Sequence, residues 1–297
     1  MKKILSAFSC LLLTSLVFPQ AALQKSANTL LWEVTGKDLQ KPTYIFGTMH
    51  ILCSDDATLS SGLKGAIKKC DEVYFEIDLS DMMGMINSMK FMNMNDNKKL
   101  SDLLSAEDYA KVKKYFEKHP SMLPFSMLEK FKPMFISSLM EEEDLPCKST
   151  NGMEMVIMKE AHKNNKKING LETAEFQASL FDSIPYKDQA QDIIKYIDSS
   201  EEYKKMTDTL AQAYKDQDLN KIELLTAQES SGTSAFMDLL LYKRNRNWAK
   251  KLQLLMPQKS LLIAVGAGHL PGEEGILNLL RKLGYTVSPI TTIGEEL

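Results

Sequence analysis

The stretch Pro42-Thr43-Tyr44-Ile45-Phe46-Gly47-Thr48-Met49-His50 decides how the rest of the chain is interpreted. Its centre is aromatic or β-branched and is bounded by Pro42 and Gly47, which predicts a short buried strand. His50 follows Gly47 at the point where the chain leaves this strand. Ligands and catalytic groups collect at the carboxyl ends of strands in open sheets, so His50 is a candidate site residue.

A second copy of this pattern lies near the other end of the chain. Leu261 to Val265 predicts another buried strand, and Gly266-Ala267-Gly268-His269 follows it. The chain has four histidines, and two of them follow a predicted strand with the same Gly-x-x-His spacing. One such histidine is often only structural, but two in matching contexts indicate that His50 and His269 form two walls of one site.

A third predicted strand, Val73 to Asp78, places Glu76 and Asp78 on the face opposite its apolar residues. A carboxylate in the middle of an apolar strand is costly unless it is paired or bound to a ligand. Glu76 is therefore the third candidate site residue. The alternative is an edge strand with one face in water.

The order of the patterns indicates the fold class. Leu30 to Val34 alternates and leads through a Gly36-containing turn to the first strand, which is typical of a hairpin. Strand patterns cluster at both ends of the chain and near residue 170, and helical patterns fill the middle. We expect one α+β domain over residues 23–297, with a sheet assembled from N-terminal, central and C-terminal strands and a large helical insertion at about 80–250.

The N-terminus predicts export. Lys2 and Lys3 precede an apolar run from Ile4 to Phe18, and small residues follow, so residues 1–22 are predicted to be a signal peptide. The run is short for a membrane span, and we expect no stable span in the mature chain. The predicted location is the bacterial periplasm or the medium.

The net charge limits the possible binding partners, and the cysteines bear on the redox compartment. The net charge of −3 gives no basic footprint for nucleic acid. Export would permit a disulfide, and Cys53 and Cys147 are the better pair because both lie in loop-like segments. Cys70 ends an apolar helix and is expected to be a small buried residue. Zinc ligation is the rival interpretation, but no C-x-x-C spacing supports it.

Residues 80–94 carry six methionines. The spacing of Met82, Met85, Met89 and Met92 predicts one stripe along a helix. Thioethers can bind Cu(I) in an exported protein. A deformable apolar face that covers the site is the favoured interpretation, because no cysteine or histidine interrupts the run.

A combination of weak motifs carries a resemblance. In order they are Trp32-Glu33-Val34, Gly47-Thr48-Met49-His50, Phe75-Glu76-Ile77-Asp78, Gly170-Leu171-Glu172-Thr173 with Gln177, Arg244-Asn245 with Trp248, and Gly266-Ala267-Gly268-His269. Over residues 30 to 297 the chain resembles the TraB/GumN family, which includes the Tiki proteases and whose fold is grouped with the EreA-type erythromycin esterases and ChaN-like proteins. The chain has Gly152-Met153-Glu154 where relatives often carry Gly-x-Asp, which leaves the role of position 154 open.

The resemblance implies a metal-dependent hydrolase that acts on a peptide or protein. The family's two Gly-x-x-His motifs and its acidic residue fall on His50, His269 and Glu76, a plausible ligand set for Zn²⁺, Mn²⁺ or Co²⁺. Such an ion would acidify a water and polarise a scissile carbonyl. Arg244 is the fourth catalytic candidate, as a clamp for a substrate carboxylate or an oxyanion, or else as a helix salt bridge.

Further residues are expected to orient the two histidines, and three other functions fit the same residues. Asp78 or Glu172 is expected to accept the second N–H of a histidine, and Gln177 and Asn245 are placed in the same supporting shell. The alternatives are a metal-free esterase in which Glu76 orients a histidine base, an exported protein that holds a metal or haem without turnover, and a structural or signalling module. The oligomeric state stays open.

Overall fold

The structure is a computed structural model, and it describes residues 28–121, 123–143, 145, 147, 149–229 and 236–291 of the 297-residue chain. The predicted signal peptide, residues 1–22, lies outside the described residues. Six strands form one sheet in the order β4-β3-β5-β2-β1-β6. The strands are β1 (Leu31–Thr35), β2 (Thr43–Thr48), β3 (Glu72–Ile77), β4 (Lys167–Glu172), β5 (Leu261–Gly266) and β6 (Thr286–Pro289).

The sheet is mixed, and its parallel part carries the site. β2, β5, β3 and β4 are parallel neighbours, whereas β1 pairs antiparallel with β2 and with β6. The hairpin of β1 and β2 and the assembly of one sheet from distant segments are as predicted. β3 lies between β4 and β5, so Glu76 belongs to an interior strand and not to an edge strand.

Thirteen α-helices occur within the described residues. Most of them follow β3 or β4 in the chain, as the predicted helical insertion requires. They are α1 (Ser61–Lys69), α2 (Met82–Ser88), α3 (Leu100–Leu103), α4 (Ala106–Lys118), α5 (Phe125–Leu128), α6 (Pro133–Glu143), α7 (Met153–Lys163), α8 (Ala174–Leu180), α9 (Tyr186–Asp198), α10 (Ser200–Lys215), α11 (Leu219–Glu229), α12 (Lys243–Leu255) and α13 (Ile276–Lys282).

Two hydrophobic clusters stabilise these elements. The first, here called the sheet core, joins the strands with residues of α1, α7, α12 and α13. The second, here called the helical core, joins residues of α3, α4, α6 and α9. Each fully buried apolar side chain contributes roughly 1.5–3 kcal/mol by leaving water, so both clusters are substantial sources of stability.

The methionine-rich segment differs from the predicted single stripe. α2 ends at Ser88, and a 3₁₀ turn, Met89–Met92, replaces it. Because a 3₁₀ helix has 3.0 residues per turn, the stripe is not continued on one face. Met82 and Met83 are exposed, whereas Met85 is half-buried.

A disulfide joins Cys53 and Cys147, as predicted, with their Cα atoms 5.7 Å apart. It links the segment after β2 to the segment before α7. Cys70 is a buried free cysteine. No helix in the described part of the chain is long and apolar enough to cross a bilayer.

Candidate active site

Four neighbouring strands bring polar side chains to one edge of the sheet. Glu172 ends β4 and Glu76 lies near the end of β3, while His269 closes a 3₁₀ turn after β5 and His50 follows β2. Because these strands are parallel and adjacent, their carboxyl ends meet at the same edge. The repeated strand-then-histidine pattern therefore brings distant parts of the chain together.

Gly266 marks the point where three predicted residues converge. A Cβ atom built on Gly266 would lie 3.3 Å from Oε1 of Glu76, 3.6 Å from Cδ2 of His269 and 3.8 Å from Nε2 of His50. The absence of a side chain at Gly266 therefore leaves open the space between the two imidazoles and the carboxylate.

Glu76 is buried, and its carboxylate accepts three hydrogen bonds. Its Oε1 accepts the backbone N–H of Gly266 at 2.8 Å. Its Oε2 accepts a donor of Arg244 at 2.5 Å and the side-chain amide of Gln177 at 2.8 Å. The cost of burying this carboxylate in an interior strand is thus offset by a charged partner and two further donors.

Arg244, on the first turn of α12, uses every N–H of its guanidinium inside the protein. Nε donates to Glu172, one terminal nitrogen donates to Glu76 and Glu172, and the other donates to the carbonyl of Leu240 and lies 3.2 Å from Nε2 of His269. A guanidinium has five N–H groups, so none is left for a substrate carboxylate. The structure corrects the predicted clamp: Arg244 is a positioning residue that holds Glu76, Glu172 and His269.

His269 is held in one tautomer by Asn245. The side-chain nitrogen of Asn245 donates to the carbonyls of His269 and Glu274, so its oxygen faces the ring, 2.6 Å from Nδ1. An amide oxygen only accepts, and Nδ1 therefore carries the proton. Nε2 is left without a proton, so it accepts a hydrogen bond from Arg244 at 3.2 Å, and it lies 3.7 Å from Oε1 of Glu76. The ring also packs on Trp248, at 4.5 Å between centroids.

His50 is held by a residue whose role the sequence left open. Its Nδ1 lies 2.7 Å from Oε1 of Glu154, which is buried on the first turn of α7. Gly152 permits this approach, because a Cβ there would lie only 2.6 Å from the carbonyl oxygen of His50. The His50 side chain is 63% exposed, and its Nε2 faces the open space beside Gly266.

The pKa values at this edge are strongly shifted. Burial alone would raise the pKa of Glu76, but His269, the Arg244 guanidinium and His50 together lower it to about 2. Burial, aided by the charges of Arg244 and His50, lowers the pKa of His269 to about 3. Burial also acts to lower the pKa of His50, but the hydrogen bond and charge of Glu154 outweigh it and raise the pKa to about 9. At neutral pH, Glu76 is ionised, His269 is neutral and His50 is protonated.

The predicted supporting residues divide into two groups. Gln177, Asn245 and Glu172 lie at the site, with Glu172 accepting from Arg244 and from the indole N–H of Trp248. Asp78 does not reach either histidine, since its carboxylate accepts from the backbone and the hydroxyl of Ser80. The role foreseen for Asp78 or Glu172, acceptor of the histidine N–H, is taken by Glu154 and Asn245.

A cavity of about 570 Å³ opens beside this cluster. Its floor is formed by the strand ends with His50, Glu76 and His269, and its other walls come from the helices. At the end of β2, Gly47 packs against Ala267, and its carbonyl accepts the hydroxyl of Tyr214 at 2.9 Å. A pocket of this size with convergent polar groups is typical of an active or binding site.

Comparison with known proteins identifies the family of this chain. The sequence profile of the TraB/PrgY/gumN family matches residues 30–289. The chain belongs to the TraB/PrgY/gumN family. The match spans all six strands, and hence the four that carry the candidate site of this TraB/PrgY/gumN protein.

Several curated relatives carry the name metalloprotease. Metalloprotease TIKI2 of Danio rerio is 24% identical over 89% of this chain and 61% of its own length. Metalloprotease TIKI1 of Homo sapiens is 23% identical over 89% of this chain and 62% of its own length. The uncharacterized protein YbaP of Shigella flexneri is 24% identical over 80% of this chain and 88% of its own length. The chain thus spans about three fifths of the length of these TIKI relatives. No solved structure matches it.

The spacing of the candidate ligands and the chemistry of their donor atoms bear differently on metal binding. Within the described ranges, no three His, Cys, Asp or Glu side chains stand close enough together to hold one metal ion as they are placed. The donor chemistry is nevertheless suitable. An acceptor holds Nδ1 of each histidine, which is how metal-ligating imidazoles are oriented. An ion at Nε2 would displace the proton of His50 and the hydrogen bond from Arg244 to His269. Oε1 of Glu76 accepts one hydrogen bond and keeps a second lone pair.

Proposed function

We propose that this chain is an exported, metal-dependent hydrolase that cleaves peptide bonds. The observation that carries the proposal is the convergence of His50, Glu76 and His269 around Gly266, on the floor of the cavity. The names of the TIKI relatives support the reaction class. The Cys53–Cys147 disulfide supports export, because disulfides persist in oxidising compartments.

A divalent ion, Zn²⁺, Mn²⁺ or Co²⁺, would be held by His50, His269 and Glu76. When bound, it would supply an acidified water and polarise the scissile carbonyl. His50 is the most exposed of the three, with 63% of its side chain accessible to solvent. Glu154 and Asn245 hold the Nδ1 sides of the two imidazoles and so keep each Nε2 directed at the cavity.

The remaining residues keep the cluster in place. Arg244 forms ion pairs with Glu76 and Glu172 and donates to Nε2 of His269, so it holds three groups in place. Gln177 and the backbone of Gly266 complete the hydrogen bonds to Glu76. These residues act by preorganisation, which places the reacting groups before the substrate arrives.

The test is hydrolysis of a mixed peptide library by the purified chain, followed by mass spectrometry. The protein is stripped with a chelator and reloaded with Zn²⁺, Mn²⁺ or Co²⁺. We expect one of these ions to restore turnover. His50→Ala, Glu76→Gln and His269→Ala should each remove most of it, and double variants should add little, since residues acting as a unit are non-additive.

His162→Ala is the matched control, because this histidine lies exposed on the last turn of α7, away from the cavity. It should keep wild-type turnover. Metal content of each variant, measured by mass spectrometry, separates loss of the ion from loss of chemistry. Equal hydrolysis by the wild type and His50→Ala would refute the proposal.

A second candidate is a metal-free hydrolase in which the His50–Glu154 pair moves the proton. The observation that favours it is the Nδ1 to Oε1 distance of 2.7 Å, the geometry of a base and its orienting carboxylate. Because the pKa of His50 is about 9, activity that needs the neutral imidazole would rise with pH up to that value. Full activity after chelation would favour this candidate over the metal-dependent one.

A further inference from the structure

The cavity has two chemically distinct parts. All of its acidic and basic lining residues, His50, Glu76, Arg244 and His269, belong to the polar cluster at the strand ends. The large apolar lining residues, here called the apolar wall, are Phe135, Leu180, Phe181, Leu210, Leu240 and Leu241. None of these six side chains is charged, and the remaining polar side chains that line the cavity are those of Thr48, Ser138, Gln177, Tyr214 and Thr226.

The apolar wall is held by packing between separate helices. Phe135 lies on α6, and Phe181 lies in the 3₁₀ turn that follows α8. Their rings meet edge to face, with centroids 5.1 Å apart and planes at 90°. Edge-to-face pairs are a favourable aromatic geometry, so the wall is preformed and does not depend on the substrate to assemble it. α8 also carries Gln177, which bonds Glu76, so the wall and the cluster share one helix.

We propose that the apolar wall is the specificity subsite of the enzyme, and that it takes one large aliphatic or aromatic side chain of a peptide next to the scissile bond. This inference rests on the proposed function, whose substrate class it narrows. A large apolar side chain gains by leaving water against these residues. A charged side chain would lose its hydration and find no partner there.

The experiment uses peptides that differ only in the residues flanking one cleavable bond: Phe, Leu, Ala or Asp. We expect the wild type to hydrolyse the Phe and Leu peptides with a kcat/KM at least about 10-fold above that for Ala, since a hydrophobic pocket discriminates by 10–200-fold for each methylene. The Asp peptide should be the poorest. Phe181→Ala and Phe135→Ala should reduce the ratio of kcat/KM for the Phe peptide to kcat/KM for the Ala peptide.

Phe176→Ala is the matched control. Phe176 lies on α8, one residue before Gln177, but it is 39% exposed and does not line the cavity. It should keep the wild-type preference. Phe135→Leu, which retains an apolar side chain of similar volume, tests whether a loss in Phe135→Ala comes from the wall or from poor folding.

A binding arm separates this inference from the proposed function. The Phe and Ala peptides are titrated into His50→Ala and into His50→Ala/Phe181→Ala by calorimetry. Tighter binding of the Phe peptide, with a negative heat-capacity change that is lost with Phe181, supports the subsite even if no peptide is ever hydrolysed. Hydrolysis with no dependence on the flanking residue, or binding that Phe181→Ala leaves unchanged, overturns the subsite and leaves the proposed hydrolase intact.

Discussion

Arg244 and Arg246 lie two residues apart on α12 and carry the same charge in different surroundings. Arg244 is buried between two carboxylates, and Arg246 is a half-exposed residue paired with Asp238 and Glu274. Breaking a buried ion pair leaves a charge without compensation, whereas surface pairs contribute little. The pair of arginines therefore offers a comparison within one helix.

Arg244→Ala should lower the free energy of unfolding by about 3–5 kcal/mol, because Glu76 and Glu172 would remain buried without their cation. Arg246→Ala should cause little measurable loss. Urea unfolding curves of both variants test this. Arg244→Lys keeps the charge on one nitrogen with three donors, so it should recover stability better than turnover. Equal stability of Arg244→Ala and Arg246→Ala would contradict the role assigned to Arg244.

The charge of His50 depends on Glu154. In the metal-free protein, Glu154→Gln removes the largest cause that raises the pKa of His50, and burial then lowers it. NMR titration of the imidazole signals should show the His50 pKa fall from about 9 toward its ordinary value of 6.5. The His269 signals are the internal reference, since a pKa of about 3 predicts no titration between roughly pH 5 and 10.

The stability consequence has a definite sign. Because the pKa of His50 is raised on folding, its contribution to stability is complete below pH 6.5 and is lost as pH rises to about 9. The unfolding free energy of the wild type should therefore fall across this window more steeply than that of Glu154→Gln. Parallel pH dependences would show that the ion pair does not form in solution.

The site residues differ in how well the sequence predicts their positions. A histidine after a strand and a carboxylate inside one are conspicuous, so the sequence predicts that His50, Glu76 and His269 lie together, and in the structure all three lie beside Gly266. Glu154 was not assigned a partner, because its contact with His50 depends on how α7 packs against the segment after β2. One signal was present: Glu154 is an acidic residue in the first turn of a helix whose buried face includes Met153, Ile157 and Ala161.

At the scale of elements, the segment after β2 and the start of α7 are joined by more than one link. The Cys53–Cys147 disulfide connects residues 94 apart. Nearby, the backbone N–H of Asn151 donates to the carbonyl of Leu52, and that of Met153 donates to the carbonyl of Met49. These links keep His50 beside Glu154.

Removing the disulfide should therefore affect both stability and the site. A bridge that closes a loop of this length contributes about 2–4 kcal/mol, mainly by restricting the unfolded chain. We expect Cys53→Ala/Cys147→Ala to lose stability of that order in guanidinium chloride. A reducing agent should lower the wild type to the same value and leave the variant unchanged. Peptide mapping of the protein from its native compartment that finds both thiols free would contradict the link.

The elements were predictable to different degrees. The β1–β2 hairpin and the strands of the two Gly-x-x-His motifs follow from period-two and apolar-run patterns in a few residues. The neighbour order β4-β3-β5-β2 does not, because it is set by crossover helices that pack in three dimensions. The methionine stripe failed as a single helix because helical spacing in a short segment cannot show where a 3₁₀ turn begins.

At the scale of the whole molecule, the site lies where the two hydrophobic cores meet. The sheet core positions the strand ends with His50, Glu76 and His269. The helical core includes Ile136 on α6, the helix that also carries Phe135 of the apolar wall. The polar cluster therefore rests on the sheet core, whereas the apolar wall takes Leu210 from beside the sheet core and Phe135 from a helix of the helical core.

This division predicts how the molecule opens. Ile193 is fully buried in the helical core, and Ile263 is fully buried in the sheet core. Truncating either to Ala should cost about 2–5 kcal/mol. Because proteins open in cooperative units, Ile193→Ala should lower hydrogen-exchange protection first in α4, α6 and α9 while β2, β3 and β5 stay protected. Ile263→Ala should lower protection throughout, and a uniform loss in both variants would mean that the two cores unfold as one. In Ile193→Ala, the loosened α6 should raise KM for an apolar peptide more than it lowers kcat, since the strand-borne cluster remains in place.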